Sequence, residues 1–386
     1  MAIVEFSEVE YWSLPVNKIV HGNALDVLKK FPSESVDVIV TSPPYFGKRD
    51  YGEEAMTVWG GSPNCEHEWE FEERLNSSGG FPNPEKAGVG KEKLGLARFY
   101  VREATCKKCG AWYGQLGLEP TPEMFIEHLL MITKELKRVL KDSGLLFWVM
   151  DDTYGGSMLS YGIKNWSGKS LQNPLEDKYP NKFLPPQARC KRKTLLLIPE
   201  RLAMRMVDEQ DWILRNMIIW YKKNHLPESV TDRFTRSYEF IFMFSKSEKY
   251  YSNLDAVRVP HEWGNKDRRA KMRRVIKENS KYENGFTGYH PKGKNPSDMW
   301  VINTKPFKGA HFAVFPEELV ERILKFACPE NGIVLDPFLG SGTTALVALR
   351  MGFRFVGIEI NKEYCELAYN RIKEYLNVEK ITNYLR

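Results

Sequence analysis

Three short groups of residues could carry chemistry. The first is Thr41-Ser42-Pro43-Pro44-Tyr45, which follows the apolar, β-branched run Val36-Asp37-Val38-Ile39-Val40. Such a run reads as a buried strand, and two prolines cannot continue a hydrogen-bonded ladder. The stop leaves a hydroxyl, a proline carbonyl and an aromatic ring at the carboxyl end of a strand, where ligands bind in open α/β sheets. Taken alone, a Ser-Pro-Pro turn closing a strand is the simpler reading. The second group is Asp336-Pro337-Phe338-Leu339-Gly340-Ser341-Gly342-Thr343-Thr344, after the short strand Ile333-Val334-Leu335. Gly340 and Gly342 let a backbone approach a ligand. Glu359, at the end of the next strand, is placed to accept hydrogen bonds from two ribose hydroxyls. The further glycine that packs a helix over a dinucleotide pyrophosphate is missing, so a nucleoside-type ligand fits better.

The third group is Cys65-Glu66-His67 with Cys106-Lys107-Lys108-Cys109-Gly110. Two thiolates on a tight turn can grip one tetrahedral ion, and Cys65 and His67 supply the two remaining ligands. A redox Cys-x-x-Cys fits less well, because the motif does not open a helix after a strand. The surrounding stretch, residues 61–114, shows loop sequence and no apolar periodicity. It is therefore expected to need a structural zinc to fold.

The elements that would hold these groups alternate as strand and helix. Lys18–Ala24 reads as a strand entering a turn, Leu25–Phe31 as a helix, and Val36–Val40 as the next strand, a parallel βαβ unit. Phe125, Leu129, Ile132, Leu136 and Leu140 share one face of a helix that should stop at Asp142-Ser143-Gly144. A buried strand, Leu145–Met150, then ends in Asp151-Asp152. The pattern continues with a helix at Ile198–Asp208 and strands within Ile213–Tyr221 and at Glu239–Phe244. Near the carboxyl end come helices at Pro316–Ala327, Thr343–Met351 and Glu363–Leu376, and strands at Ile333–Leu335 and Phe355–Ile360. Gly155–Lys193 reads as a long loop.

The chain has 386 residues and a net charge of +6, enough to bury a sizeable core. No apolar run reaches the length of a membrane span and the first residues carry no secretion signal, so a cytoplasmic protein is expected. Six cysteines in a chain this long do not suggest a disulfide scaffold. Charge is concentrated in one place: Lys266, Arg268, Arg269, Lys271, Arg273, Arg274, Lys277 and Lys281, flanked by Trp263, Tyr282, Phe286 and Tyr289. A run this one-sided beside aromatics suits a nucleic-acid surface better than a solvated helix face.

The first two groups together resemble the amino-methyltransferases of DNA, which carry a (Ser/Asp/Asn)-Pro-Pro-Tyr motif and an Asp-Pro-Phe-x-Gly-x-Gly motif. The catalytic motif comes first here and the cofactor turn last, the β-type order of that family, and the match spans nearly the whole chain. The resemblance implies an α/β fold, a doubly wound and mostly parallel seven-stranded sheet entered at a permuted point. It implies S-adenosylmethionine as cofactor, held by Asn23, Ala24, His311, Phe312, Asp336, Pro337, Phe338, Gly340, Gly342, Thr343, Thr344 and Glu359. It implies catalysis by Ser42, Pro43, Pro44 and Tyr45, with double-stranded DNA as partner and Arg268, Arg269, Lys271, Arg273 and Arg274 in contact with it. Zinc would sit on Cys65, His67, Cys106 and Cys109. The implied organisation is 1–60 and 115–252 as the catalytic half, 61–114 as the zinc insertion, 253–303 as the target-recognition region and 304–386 as the cofactor half.

An exocyclic base nitrogen is a poor nucleophile, because its lone pair is delocalised into the ring. It must be taken out of the duplex to be reached. In this resemblance Ser-Pro-Pro-Tyr usually goes with cytosine N4, and Asp-Pro-Pro-Tyr with adenine N6. Cytosine N4 is the expectation. An adenine-N6 enzyme, a relative acting on RNA or a small molecule, and a catalytically inactive nucleic-acid-binding relative are the alternatives. No Pro-Cys dipeptide suits attack at ring carbon 5. The recognition sequence, the oligomeric state and a cognate restriction endonuclease are left open.

Overall fold

The computed structural model describes residues 2–75, 100–156, 190–261, 292–304 and 315–384. The chain opens with β1 (Ile3–Glu5), β2 (Lys18–His21), α1 (Ala24–Lys30) and β3 (Val36–Thr41). An insertion of four strands follows, β4 (Met56–Trp59), β5 (Trp69–Leu75), β6 (Tyr100–Cys106) and β7 (Trp112–Gln115). Then come α2 (Pro122–Val139), β8 (Leu140–Met150), α3 (Ile198–Gln210), β9 (Ile213–Tyr221), β10 (Tyr238–Ser245) and β11 (Met299–Val301). The last part is α4 (Glu317–Ala327), β12 (Ile333–Asp336), α5 (Thr343–Arg350), β13 (Arg354–Glu359) and α6 (Lys362–Tyr384).

The main sheet runs β1-β2-β13-β12-β3-β8-β10-β9-β11. Only β10 opposes its neighbours; every other pairing is parallel. Among the described residues the sheet has nine strands rather than the seven expected, because β1 and β11, three residues each, extend its two edges. Strands that short leave no readable periodicity. β3, β12, β13 and β8 from Leu145 onward are almost wholly buried and mostly apolar, as strands covered on both faces must be. One core lies under α1, α2 and α3, and includes Leu28, Phe125, Leu129 and Met206. The other lies under α4, α5 and α6, and includes Ile323, Val347, Ala368 and Ile372. The sheet is therefore doubly wound.

Two local readings need correction. Asp142-Ser143-Gly144 does not follow the helix as a free stop. It lies inside β8, whose pairing with β3 shifts register between Val36 and Val38. A Cβ on Gly144 would stand 2.8 Å from the Asp37 carbonyl, so the bulged strand start needs the bare backbone. The insertion is not a featureless loop either. It forms a four-stranded antiparallel sheet, β4-β7-β6-β5. Its Trp59 and Trp112 are buried and both stack with His128 of α2, at 5.0 and 5.4 Å between ring centroids. His128 is held by Glu119 at 2.9 Å, so this sheet docks on the main domain through packed aromatics. Among the described residues, no helix is long and apolar enough to cross a membrane.

Candidate active site

The parallel register decides what meets. Val38 pairs with Val334 and Ile39 with Leu335, so β3 and β12 end side by side. Leu335 and Asp336 in turn pair with Val356 and Gly357 of β13. Segments 300 residues apart in sequence are thereby brought to one edge of the sheet: Ser42 after β3, Pro337 after β12 and Glu359 at the end of β13. β8 adds Asp151 at the same edge, and the antiparallel β10 begins there with Tyr238 and Glu239. A cavity of about 580 Å³ opens at this edge. Ser42, Pro43, Pro44, Tyr45, Asn23, Ala24, Pro337, Phe338, Gly340, Thr343 and Glu359 all line it.

The Gly340 side of the cavity is built from backbone. Glu359 is 7% exposed and accepts from the Gly340 and Asn361 amides, both at 2.8 Å. Burial pushes its carboxyl up to about 7, against the pull of those amides. Two amide bonds use only part of a carboxylate's acceptor capacity, so Glu359 can also accept from ligand hydroxyls. The space above Gly340 is open, with the nearest atom to an added Cβ 3.9 Å away. Gly342 has φ of +82° and turns the chain into α5; a Cβ there would stand 2.7 Å from that of Ala368. Gly342 thus packs α5 against α6, and the ligand-facing positions are Gly340 and Thr343.

Asp336 lies behind this wall, 1% exposed. Thr41 donates to one of its oxygens at 2.8 Å, and Thr344 donates to the other at 2.6 Å. The Phe338 amide adds a third bond at 3.1 Å. Burial raises the Asp336 carboxyl to about 6. Asp336 and Thr344 therefore tie the end of β3 to the glycine turn and do not face the cavity. Asn23 lines the cavity while its side-chain oxygen caps α1, accepting from Leu25 and Asp26.

The Ser42 side is built from side chains. The Ser42 hydroxyl donates to the Tyr45 hydroxyl at 3.1 Å, which donates to Glu239 at 2.8 Å. Glu239 is also ion-paired with Lys222, at the end of β9. Tyr45 is pushed well above its usual range, by burial first and by the Glu239 charge second. Asp151, paired with Arg236, is raised to about 6 by burial and by Glu239. Its neighbour Asp152 caps α3, accepting from the Leu197 amide at 2.7 Å and the Ile198 amide at 3.2 Å. Gly117, beyond β7, supports the motif from below: a Cβ there would approach Pro44 and the Tyr45 carbonyl to 3.2 Å. The sequence places Asp151 at the end of a strand but gives it no role, and Glu239 and Lys222 were not among the expected site residues. A lone acid opening an apolar strand was the available signal for Glu239.

At the far end of the insertion, Cys65, His67, Cys106 and Cys109 place their ligand atoms within 4.8 Å of one another. Cys65 and Cys106 sulfurs are 3.9 Å apart, and the Cys109 sulfur is 3.4 Å from His67 Nδ1. A tetrahedral zinc with bonds of about 2.3 Å spaces its ligands by about 3.7 Å, so the donor set fits one ion. His311 and Phe312, and the run Arg268, Arg269, Lys271, Arg273 and Arg274, lie outside the described residues.

Comparison with known proteins gives concordant matches. A family model described as DNA methylase, of the N6/N4 class, matches residues 36–370. The type II methyltransferase M.Cfr9I of Citrobacter freundii is 34% identical over 361 residues, 93% of this chain and 89% of its own. M.SmaI of Serratia marcescens is 31% identical over 356 residues, 92% of this chain and 90% of its own. Among solved structures, a PvuII DNA methyltransferase described as cytosine-N4-specific aligns with a TM-score of 0.52 at 17% identity, over 92% of this chain and 85% of that one. At that identity the likeness concerns the fold.

Proposed function

Because the chain belongs to the N6/N4 DNA methylase family and is a type II DNA methyltransferase, we propose that it methylates the exocyclic N4 of a cytosine turned out of duplex DNA. The observation that carries this is one cavity shared by Ser42, Pro43 and Tyr45 on one side and Gly340 and Glu359 on the other. At about 580 Å³ it lies within the usual range of ligand sites. S-adenosylmethionine fits the second side: Glu359 can accept from its ribose hydroxyls, and the bare backbone at Gly340 and the apolar Pro337 and Phe338 can contact the nucleoside. When bound, it supplies an electrophilic methyl group on a sulfonium.

Ser42, Pro43 and Tyr45 act on the base. Tyr45 stacks on the flipped ring. The Ser42 oxygen and the Pro43 carbonyl accept from the two N–H bonds of the amine, which holds the nitrogen out of plane and localises its lone pair. Transfer is then a matter of alignment, a term that in well-oriented reactions is worth several kcal/mol of barrier. As the N–C bond forms, the sulfonium S–methyl bond breaks and its electron pair stays on sulfur, so that S-adenosylhomocysteine leaves, and the amine releases one proton to solvent. Ser42 in place of an aspartate favours cytosine N4 over adenine N6. Residues 253–303 serve target recognition, with Arg268, Arg269, Lys271, Arg273 and Arg274 on phosphates.

We also assign a structural zinc to Cys65, His67, Cys106 and Cys109. Four protein ligands leave no open position for catalysis. The test of the main reading is transfer of labelled methyl from S-adenosylmethionine to unmethylated duplex DNA, with RNA of equal length in parallel, followed by nucleoside analysis. N4-methylcytosine from DNA alone is the expected product. N6-methyladenine would move the enzyme to the other branch, and label in RNA only, or in neither, would overturn the proposal.

A further inference from the structure

The Ser42 hydroxyl has two ways to meet a ligand. It can point its proton at the ligand or offer it a lone pair, and only the second suits an amine. Nothing in the Ser-Pro-Pro-Tyr stretch itself decides between them. The deciding groups come from β10 and the end of β9, on the far side of β8 from β3. Glu239, at the start of β10, is 2.8 Å from the Tyr45 hydroxyl. Its other oxygen is paired with Lys222. An ion-paired carboxylate can only accept, so the Tyr45 proton must point to Glu239. The Tyr45 oxygen is then left as an acceptor, 3.1 Å from Ser42. Ser42 satisfies it with its own proton, and the lone pairs of Ser42 remain for the cavity.

We propose that Glu239, fixed by Lys222, is a positioning residue that polarises the chain Ser42–Tyr45–Glu239, so that Ser42 meets the cavity as a hydrogen-bond acceptor only. The inference rests on the reading of Ser42 as the group that binds the target amine. Its consequence is selection by chemical class. A base edge carrying an amino group finds an acceptor, whereas one carrying a carbonyl at the same place faces oxygen lone pairs and is left unpaired. Buried polar groups without partners discriminate strongly. The same chain keeps the Tyr45 ring from turning, since its hydroxyl is tied at both sides. The burial and the Glu239 charge that push the Tyr45 phenol upward also keep it protonated, and hence able to donate.

A double-mutant cycle tests this, with steady-state methyl transfer to unmethylated duplex DNA as the readout and melting temperature as a check on folding. Glu239→Gln keeps the size of the side chain but can donate as well as accept, so the direction of the chain is lost. It should lower kcat by tenfold or more, with KM for S-adenosylmethionine changed less than threefold. Tyr45→Phe removes the link, so adding Glu239→Gln to it should cost less than a further twofold. Lys222→Gln, at a partly exposed position, should lower kcat in the same direction and also lose its effect in the Tyr45→Phe background. Full kcat in Glu239→Gln, or equal fold-losses in both backgrounds, would overturn the polarisation. A wild-type protein that transfers no methyl to DNA would instead overturn the reading on which it rests.

Discussion

The two sides of the cavity are held by different means. On the Gly340 side, a carboxylate binds the amides of its own turn, and a buried aspartate is tied by two threonines to the strand beside it. The partners there are backbone or lie on adjacent parallel strands. On the Ser42 side, the hydroxyl, the phenol, Glu239 and Lys222 come from three separate strands, one of them antiparallel. A backbone-built wall has few degrees of freedom and suits a cofactor that is the same in every turnover. A wall of linked side chains has directionality, which suits a group that must tell an amine from a carbonyl. Mutations on the two sides should therefore separate into rate effects and binding effects.

The largest effect is expected at Ser42. Ser42→Ala should lower the transfer rate by about 10²-fold, in the range of removing one preorganised group at a reacting centre. The S-adenosylmethionine dissociation constant should stay within a few-fold if Ser42, as proposed, contacts the base and not the cofactor. Full activity in this variant would remove the hydrogen-bond role. Next comes Glu359→Ala, which should weaken cofactor binding by about 1.5–3 kcal/mol, the range for bonds to a charged group. Calorimetry giving an unchanged affinity would put the ribose contact elsewhere.

A smaller effect follows from the Glu359 carboxyl, which burial raises to about 7. In the proposed site ribose hydroxyls would donate to the carboxylate, so protonation should compete with the cofactor. Affinity should be nearly full above pH 8 and fall by up to about tenfold toward pH 6, as one proton is taken up. The sign for stability is also set. A raised carboxyl binds its proton more tightly folded than unfolded, so Glu359 and Asp336 both favour folding at low pH. That contribution is lost as pH rises through about 6 for Asp336 and about 7 for Glu359. A cofactor affinity that is flat across this range would show that Glu359 is not the acceptor.

The smallest effect on the cavity is expected from the cysteines. Cys106→Ser with Cys109→Ser should take metal content, read by atomic emission, from one zinc to none. It should loosen β5 and β6 and weaken DNA binding, yet change cofactor affinity by less than about twofold. Trp59 and Trp112 on His128 would still hold β4 and β7 against the cavity. A metal-free, fully active wild-type protein would end the zinc assignment.

What the sequence made readable follows the same division. The glycine turn, Glu359 and Ser42-Pro43-Pro44-Tyr45 are local stretches at strand ends, and strand ends are visible in the apolar pattern. Glu239 joins the site only because β10 runs antiparallel and brings its first residues to the edge where β3, β8 and β9 finish beside Asp151 and Lys222. Spacing along the chain carries no trace of that. Asp336 was placed against the ligand because its motif is local; burial behind Thr41 and Thr344 is a property of the folded sheet. The insertion shows the converse. Trp69, Glu70, Phe71 and Glu72 alternate as a strand should, but the flanking glycines and prolines concealed the signal.

The central claim is that the shared cavity methylates an exocyclic cytosine nitrogen through Ser42. It is tested most directly by sequencing modified bases in DNA from cells expressing either the wild type or Ser42→Ala, which gives the base, the atom and the site together. N4-methylcytosine at one sequence in wild-type DNA, and its loss in the variant, is the expected result. N6-methyladenine in its place, no modified base at all, or equal modification by both proteins would contradict it.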